Sequence, residues 1–384
     1  MQIETLTFAH AEGWSTQPFP PLDSPETLVL VFASPDFRDD PGPIAELRAA
    51  FPRSCVVGCS SAGEICGGRV ADRSLSVAIA RLEHSRLAVA RAGVERPEQS
   101  RAAGGRLADE LAADDLRAVL VLSDGVTVNG SELVRGINER VGPGVTVTGG
   151  MAGDGTRFER TWVLDTEGPR EGMVTAVGLY GERLRIGHGS RGGWICFGPE
   201  RLVTRSQGNV LYELDGQPAL DLYRTYLGEL AAELPASALR FPLAVRESRR
   251  AEKLLVRTIL SIDEAQRSMT FAGDVREGCY VQLMRANFER LVDGASEAAD
   301  ETGLTARGGA GGELADTLAI AISCVGRRML LGERTEEELE ATLAALPART
   351  SQVGFYSYGE MAPFREGPCE MHNQTMTLTT LSES

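Results

Sequence analysis

Few residues in this chain of 384 can do metal or acid–base chemistry near neutral pH, and the four histidines, His10, His84, His188 and His372, lead them. His188 has the most unusual setting, Gly187–Trp194, reading GHGSRGGW, with four glycines, an arginine and an indole in eight residues. Glycines let a bound group approach the backbone. The competing reading is a solvent-facing histidine on a glycine loop. Cys59 stands in a GCSS turn whose backbone N–H groups could form an oxyanion hole, with Asp124 or Glu64 as base. Neither G-x-S-x-G nor a Cys–His pairing is legible, so thiol chemistry at Cys59 stands as the enzyme alternative. Ser60, Ser61, Asp154 and Arg327 suit an amino-acid-like zwitterion, with the carboxylate on backbone N–H groups or Arg327 and the ammonium on an acid. Against this stand turn formation for the first three and an internal ion pair for Arg327.

The balance of charge narrows the partners. A net charge of −15 with scattered basic residues argues against nucleic acid. No apolar run approaches the ~18 residues needed to span a bilayer, and MQIETLTFAH lacks the basic and apolar parts of a signal peptide. The expectation is a cytoplasmic protein without a membrane partner. Seven cysteines without a C-x-x-C pair suggest neither a disulfide framework nor a structural zinc site. TGGMAGDG lacks the G-x-G-x-x-G order followed by a helix, and no G-x-x-x-x-G-K-[ST] run occurs, so neither supplies a phosphate cradle.

The elements that must position these residues read as α/β. TLVLVFAS, CVVGCSS, RAVLVLSDG and VTVTGG are strands that end in small or polar residues, at Ser34, Cys59–Ser61, Ser123–Gly125 and Thr148–Gly150. In open α/β sheets such ends line the ligand crevice. Helices are marked by Ile44, Leu47 and Phe51, by Leu107 and Leu111, and by Leu133, Val134, Ile137 and Val141. SLSVAIARL and RLAVARAGV, separated by EHS, read as a hairpin. Asp215 is expected to cap a helix bearing Leu220, Tyr223 and Leu227, and Thr335 with Glu338 to form a capping box. LAIAISCVGR reads as a central strand, GGAGG at Gly308–Gly312 as a loop, and the domain boundary falls at 215/216.

VVGCSSAGEI, TGGMAGDG, VTRSQGNVLYELDGQPAL, SCVGRRMLLG, GFYSYGEMAPF and MHNQTMTL, in that order, resemble the FIST family of sensory proteins. The resemblance implies a two-domain α/β architecture with mixed sheets flanked by helices, FIST N over 1–215 and FIST C over 216–384. It also implies a ligand-binding sensor rather than an enzyme. Within that family, GHGSRGGW is similar to the stand-alone nitric-oxide sensors that carry haem. That likeness implies His188 as the iron ligand, Trp194 and Phe197 as walls, and Arg185 or Arg191 at the propionates. A separately encoded histidine kinase or cyclic-di-GMP enzyme is the implied partner, since no output signature follows; a homo-oligomer is compatible with the pattern. The alternative within the family is a small amino-acid-like ligand without haem.

Overall fold

The computed structural model describes residues 1–234, 236–304, 315–364 and 367–384. The Gly308–Gly312 run expected as a loop lies outside the described residues. The strands group into three units that share one connectivity. In the first, β1 (Gln2–Ala9), β2 (Thr27–Ala33), β3 (Cys55–Ser60) and β4 (Ser74–Arg81) lie in the order β3-β2-β4-β1. β2 and β3 are parallel and joined through α1 (Gly42–Ala50), while β4 is antiparallel to both its neighbours. The second unit repeats this with β5 (Arg86–Gly93), α2 (Ser100–Leu111), β6 (Leu116–Ser123), α3 (Gly130–Asn138), β7 (Thr146–Met151) and β8 (Met173–Tyr180), in the order β7-β6-β8-β5.

The third unit opens with β9 (Leu184–Arg191) and is then interrupted by an insert, residues 195–285. The insert holds β10 (Ile195–Gln207), β11 (Val210–Leu214), α4 (Ala219–Leu227), β12 (Leu243–Arg246), β13 (Leu255–Arg257), β14 (Ile259–Asp263), β15 (Ser268–Phe271) and β16 (Tyr280–Arg285). These strands form their own antiparallel sheet in the order β13-β12-β16-β10-β11-β15-β14. The unit resumes with α5 (Phe288–Glu301), β17 (Thr317–Cys324), α6 (Val325–Leu331), α7 (Thr335–Ala345), β18 (Thr350–Ser357), β19 (Gly359–Pro363), β20 (Cys369–His372) and β21 (Met376–Glu383). Its order, β18-β17-β21-β9, matches the other two.

Alternation along the second strand of each unit explains why three sheets converge. Leu28, Leu30 and Phe32 of β2, Leu120 and Leu122 of β6, and Leu318, Ile320 and Ile322 of β17 point inward into one shared core. The alternate residues face helices: Val29 and Val31 meet Ile44 and Leu47, while Ala319 and Ala321 join the cluster of Ala295, Ala298 and Leu339. A strand buried on both faces is a continuous apolar run, and each such Leu, Ile or Phe contributes about 1.5–3 kcal/mol.

The third strands lock the units in a ring. Beyond β3, Ala62 N donates to Tyr356 O; beyond β7, Gly153 N donates to Ser60 O; beyond β18, Tyr358 N donates to Met151 O. The short strands that follow cross over in the same sense. Glu64–Cys66 pairs with β18, Val163–Leu164 with β3, and β19 with β7. Two carboxylates occupy equivalent places in this ring. Glu64 accepts from Ser74 N (3.1 Å) and Ser74 Oγ (2.9 Å) at the start of β4, and Glu360 accepts from Thr375 N (3.1 Å) and Thr375 Oγ1 (2.9 Å) before β21. Burial pushes Glu64 up to about 8 and Glu360 up to about 7, against hydrogen bonds that favour the charged form.

Several local expectations are corrected. SLSVAIARL and RLAVARAGV are not a hairpin: β4 pairs with β1 and β2, and β5 with β8, because the turn between them carries the chain from one unit to the next. GHGSRGGW is not a loop, since its residues through Arg191 form β9, fully paired with β21. Asp215 does not cap α4. It sits in a turn at φ 51° and accepts from Leu202 N and Arg201, while α4 has no side-chain cap. Thr335 and Glu338 form no capping box either, because Thr335 Oγ1 donates to Gly332 O and Glu338 turns into the core.

Two outcomes follow from this packing. A Cβ at Gly189 would lie 2.0 Å from Ala298 O, so Gly189→Ala is expected to cost about 1–3 kcal/mol in denaturant unfolding. Gly105→Ala, where a Cβ meets nothing nearer than 3.9 Å on a helix, is expected to stabilise. Because Glu64 and Glu360 have folded pKa values raised above the unfolded range, the fold holds more protons than the unfolded chain. The stability they contribute is complete below about pH 4.5 and is lost as pH rises through 7 to 8. A Glu64→Gln, Glu360→Gln double variant should flatten the fall in melting temperature between pH 5 and 8, and an unchanged slope would refute this assignment.

Candidate functional site

The residues singled out in the sequence are placed first. On β9, Arg185, Gly187, Gly189 and Arg191 share one face by strand alternation, and His188 takes the other with Leu184 and Ile186. The glycine face is filled by α5. A Cβ at Gly187 would lie 2.3 Å from Thr302 O, and one at Gly193 would lie 1.9 Å from Arg290 O. Arg191 ion-pairs with Glu301 of the same helix. Trp194 is buried with Met284, Leu291 and Leu331, and its Nε1 donates to Gln374 O at 2.8 Å. Phe197 belongs to the insert's core, 6.1 Å from Phe241. These residues do not assemble into a haem slot: the glycines admit a helix, and the two arginines lie across the strand from His188. His188 remains half-buried, and burial lowers its pKa, which favours the neutral imidazole.

The small-residue turns do meet, but they seal one another. Ser60 Oγ accepts from Trp162 N, Ser61 Oγ accepts from Gly63 N, and both serines are buried. Arg327 is fully buried and spent, with Nη2 2.7 Å from Glu338, Nη1 donating to Gly192 O and a further bond to Leu291 O. That internal ion pair replaces the expected ligand contact. Cys59 is fully buried with its thiol pKa pushed up by burial, and the expected bases are committed. Asp124 accepts from Val126 N, Thr127 N, Thr161 and Gly172 N, and Glu64 from Ser74. His372 is buried, with Nε2 3.0 Å from Ala362 O, and orients the β19–β20 pair.

An open cleft of about 250 Å³ does lie at the strand ends, where Gly125–Gly130 follows β6 and Met151 ends β7. Leu260 and Phe271 of the insert form the opposite wall. Asp154 shapes it: its carboxylate accepts from Phe158 N (2.9 Å), Glu159 N (3.1 Å), Arg160 N (2.8 Å) and the Tyr358 hydroxyl. These bonds hold Phe158 in the left-handed region at φ 54°, a conformation that costs a non-glycine residue of order 1–3 kcal/mol. The Phe158 ring stacks on Tyr358 with centroids 4.2 Å apart, yet it stays 44% exposed. Val126 (45%) and Leu260 (43%) line the same cleft, so three of the five exposed large hydrophobic side chains among the described residues face one space. Asp154 is buried and acts on this cleft through Phe158 and Tyr358, which line it, while Arg185 lines a separate cleft with Arg117 and Thr302. Phe158, Val126 and Leu260 were not read from the sequence; an aromatic inside the polar run GDGTRFERT was the available signal.

Comparison with known proteins agrees with the resemblance to the FIST family and does not bear on the finer likeness to haem-carrying sensors. The FIST N domain model matches residues 27–217 and the FIST C domain model residues 219–363. An uncharacterized protein of Methanocaldococcus jannaschii is 23% identical over 276 residues, 64% of this chain and 51% of that protein, so the chain spans about half the length of this curated relative. Among solved structures, a cyanuric acid hydrolase from A. caulinodans aligns over 100% of this chain and 98% of its own at 11% identity, with a TM-score of 0.37. PurLQS from Thermotoga maritima aligns over 84% and 74% at 8% identity and a TM-score of 0.20. Neither likeness reaches the level that carries an argument. The family models together cover most of the chain, and the protein belongs to the FIST family.

Proposed function

We propose that the chain is a ligand-binding sensory module that takes a small molecule with a flat apolar face into the cleft beside Phe158. The observation that carries this reading is the gathering of exposed Val126, Phe158 and Leu260 around one concave space, where isolated surface hydrophobics need no explanation but a convergent set does. The cleft's walls belong to different cores. Phe271 is packed in the insert's cluster, while Met151 and Tyr358 belong to the α/β body. A ligand that bridges them stabilises one placement of the insert over others, which is how binding is converted to a signal. An aromatic or aliphatic amino acid has suitable chemistry, with its side chain against Phe158. In keeping with the family resemblance, the output lies in a separate cytoplasmic partner, a histidine kinase or cyclic-di-GMP enzyme. Among the described residues no helix is long and apolar enough to cross a membrane.

The haem reading is retained as the second, on His188 alone, because its half-buried imidazole is held neutral, the form that ligates iron. No group of three or more candidate metal ligands occurs among the described residues, so a single axial histidine is what that reading must rest on.

The two readings separate experimentally. Nile red fluorescence, enhanced by the apolar cleft, should fall several-fold in Phe158→Ala and Leu260→Ser without loss of secondary structure, and an apolar amino acid that binds should displace the dye and raise the melting temperature. Unchanged dye binding in both variants would sink the cleft reading. Haemin titration tests the other: a sharp Soret band in the wild type that disappears in His188→Ala supports it, and the same spectrum in both proteins removes it.

A further inference from the structure

We propose a second site, for a small oxyanion bearing a carboxylate or phosphoryl group, in the cleft between α3 and the insert that is centred on Arg257. It goes beyond the apolar cleft, from which Asp274 separates it by lining both. Two arginines are nearly inaccessible among the described residues, and they are treated differently by the fold. Arg327 meets Glu338, whereas Arg257, 4% exposed, meets only carbonyl oxygens: Asp274 O from Nε at 3.0 Å, and Val256 O (3.2 Å) and Met371 O (3.0 Å) from Nη1. No carboxylate of a described residue ion-pairs with it, and its Nη2 bonds no described residue. Carbonyl dipoles orient a guanidinium but do not neutralise it; the carboxylates whose charge acts on it, Asp274 and Glu370, are ion-paired to Arg135 and Lys253, and a buried cation without its own partner is costly. The same burial lowers the Arg257 pKa to about 10, which leaves it charged at neutral pH.

The cleft of about 210 Å³ holds the complementary pieces. Arg135, Lys253, Arg257 and Arg276 line it against Glu247, Asp274 and Glu370, an excess of positive charge in a chain whose net charge is −15. Two of those acids are occupied, Asp274 by Arg135 at 3.5 Å and Glu370 by Lys253, and Arg276 has no ion pair among the described residues. Ser131 Oγ is buried against this space without a hydrogen-bond partner, in the first turn of α3. A fork of guanidinium donors and a free hydroxyl together suit a planar or tetrahedral oxyanion. The volume admits a small organic acid or phosphate ester as well as the bare ion.

The test uses the full chain with inorganic phosphate and with succinate, at an ionic strength held constant with potassium chloride. One or both should raise the melting temperature by several degrees and give a saturable calorimetric isotherm. Arg276→Ala, at an exposed position, and Ser131→Ala should each weaken binding several-fold, and Arg257→Gln should abolish it. Phe158→Ala should leave it intact, which keeps this site's fate distinct from that of the apolar cleft. No response to either probe beyond the chloride control overturns the proposal. So does wild-type affinity in both Arg276→Ala and Ser131→Ala, whether or not Arg257→Gln folds.

Discussion

Three hydrogen bonds, from Ala62 N to Tyr356 O, from Gly153 N to Ser60 O and from Tyr358 N to Met151 O, close a ring on which the arrangement of the α/β body depends. Each joins the loop after one unit's third strand to the strand end of another unit, and each loop then delivers a short strand to a neighbouring sheet. Backbone groups buried at such a convergence must be paired, so small residues there are selected by close approach before any ligand is considered. Gly153 shows the constraint, since a Cβ on it would come within 3.1 Å of Ala62 N and Tyr356 O. Ser60 and Ser61 belong to this closure, which is why strand ends that look like a pocket floor are instead its seal.

The open clefts described above lie outward from the ring, where the insert meets the body. The insert has its own core of Leu211, Leu220, Tyr223, Met269 and Phe271, distinct from those of the α/β body. Both clefts described above lie along that seam and share Asp274. One presents apolar surface and the other charge, a pairing suited to a ligand or ligands of mixed chemistry. Asp154 connects the ring to the seam: its four acceptor contacts fix the loop that displays Phe158.

Much of the fold was legible because burial on both faces writes itself as a continuous apolar run. TLVLVFA, RAVLVLS and LAIAIS needed no context to be read as strands, and the α/β class followed from their alternation with helices. Partnership was not legible. SLSVAIARL and RLAVARAGV resemble a hairpin locally, since nothing in either run encodes that each joins a different sheet. The site suffered more. Arg327 and Arg257 are both arginines in apolar surroundings, and only the arrival of Glu338 from α7 makes one an internal ion pair.

By itself the sequence determined the α/β class, the family, the principal strands and the absence of a G-x-x-x-x-G-K-[ST] run, all of which depend on composition, short-range period or ordered motifs. The tertiary structure alone decided the threefold repetition, the helix that fills the glycine face opposite His188, and the clefts at the insert. Those features are contacts between residues far apart in the chain, such as Gly189 with Ala298 or Arg257 with Met371, and local pattern carries no record of them.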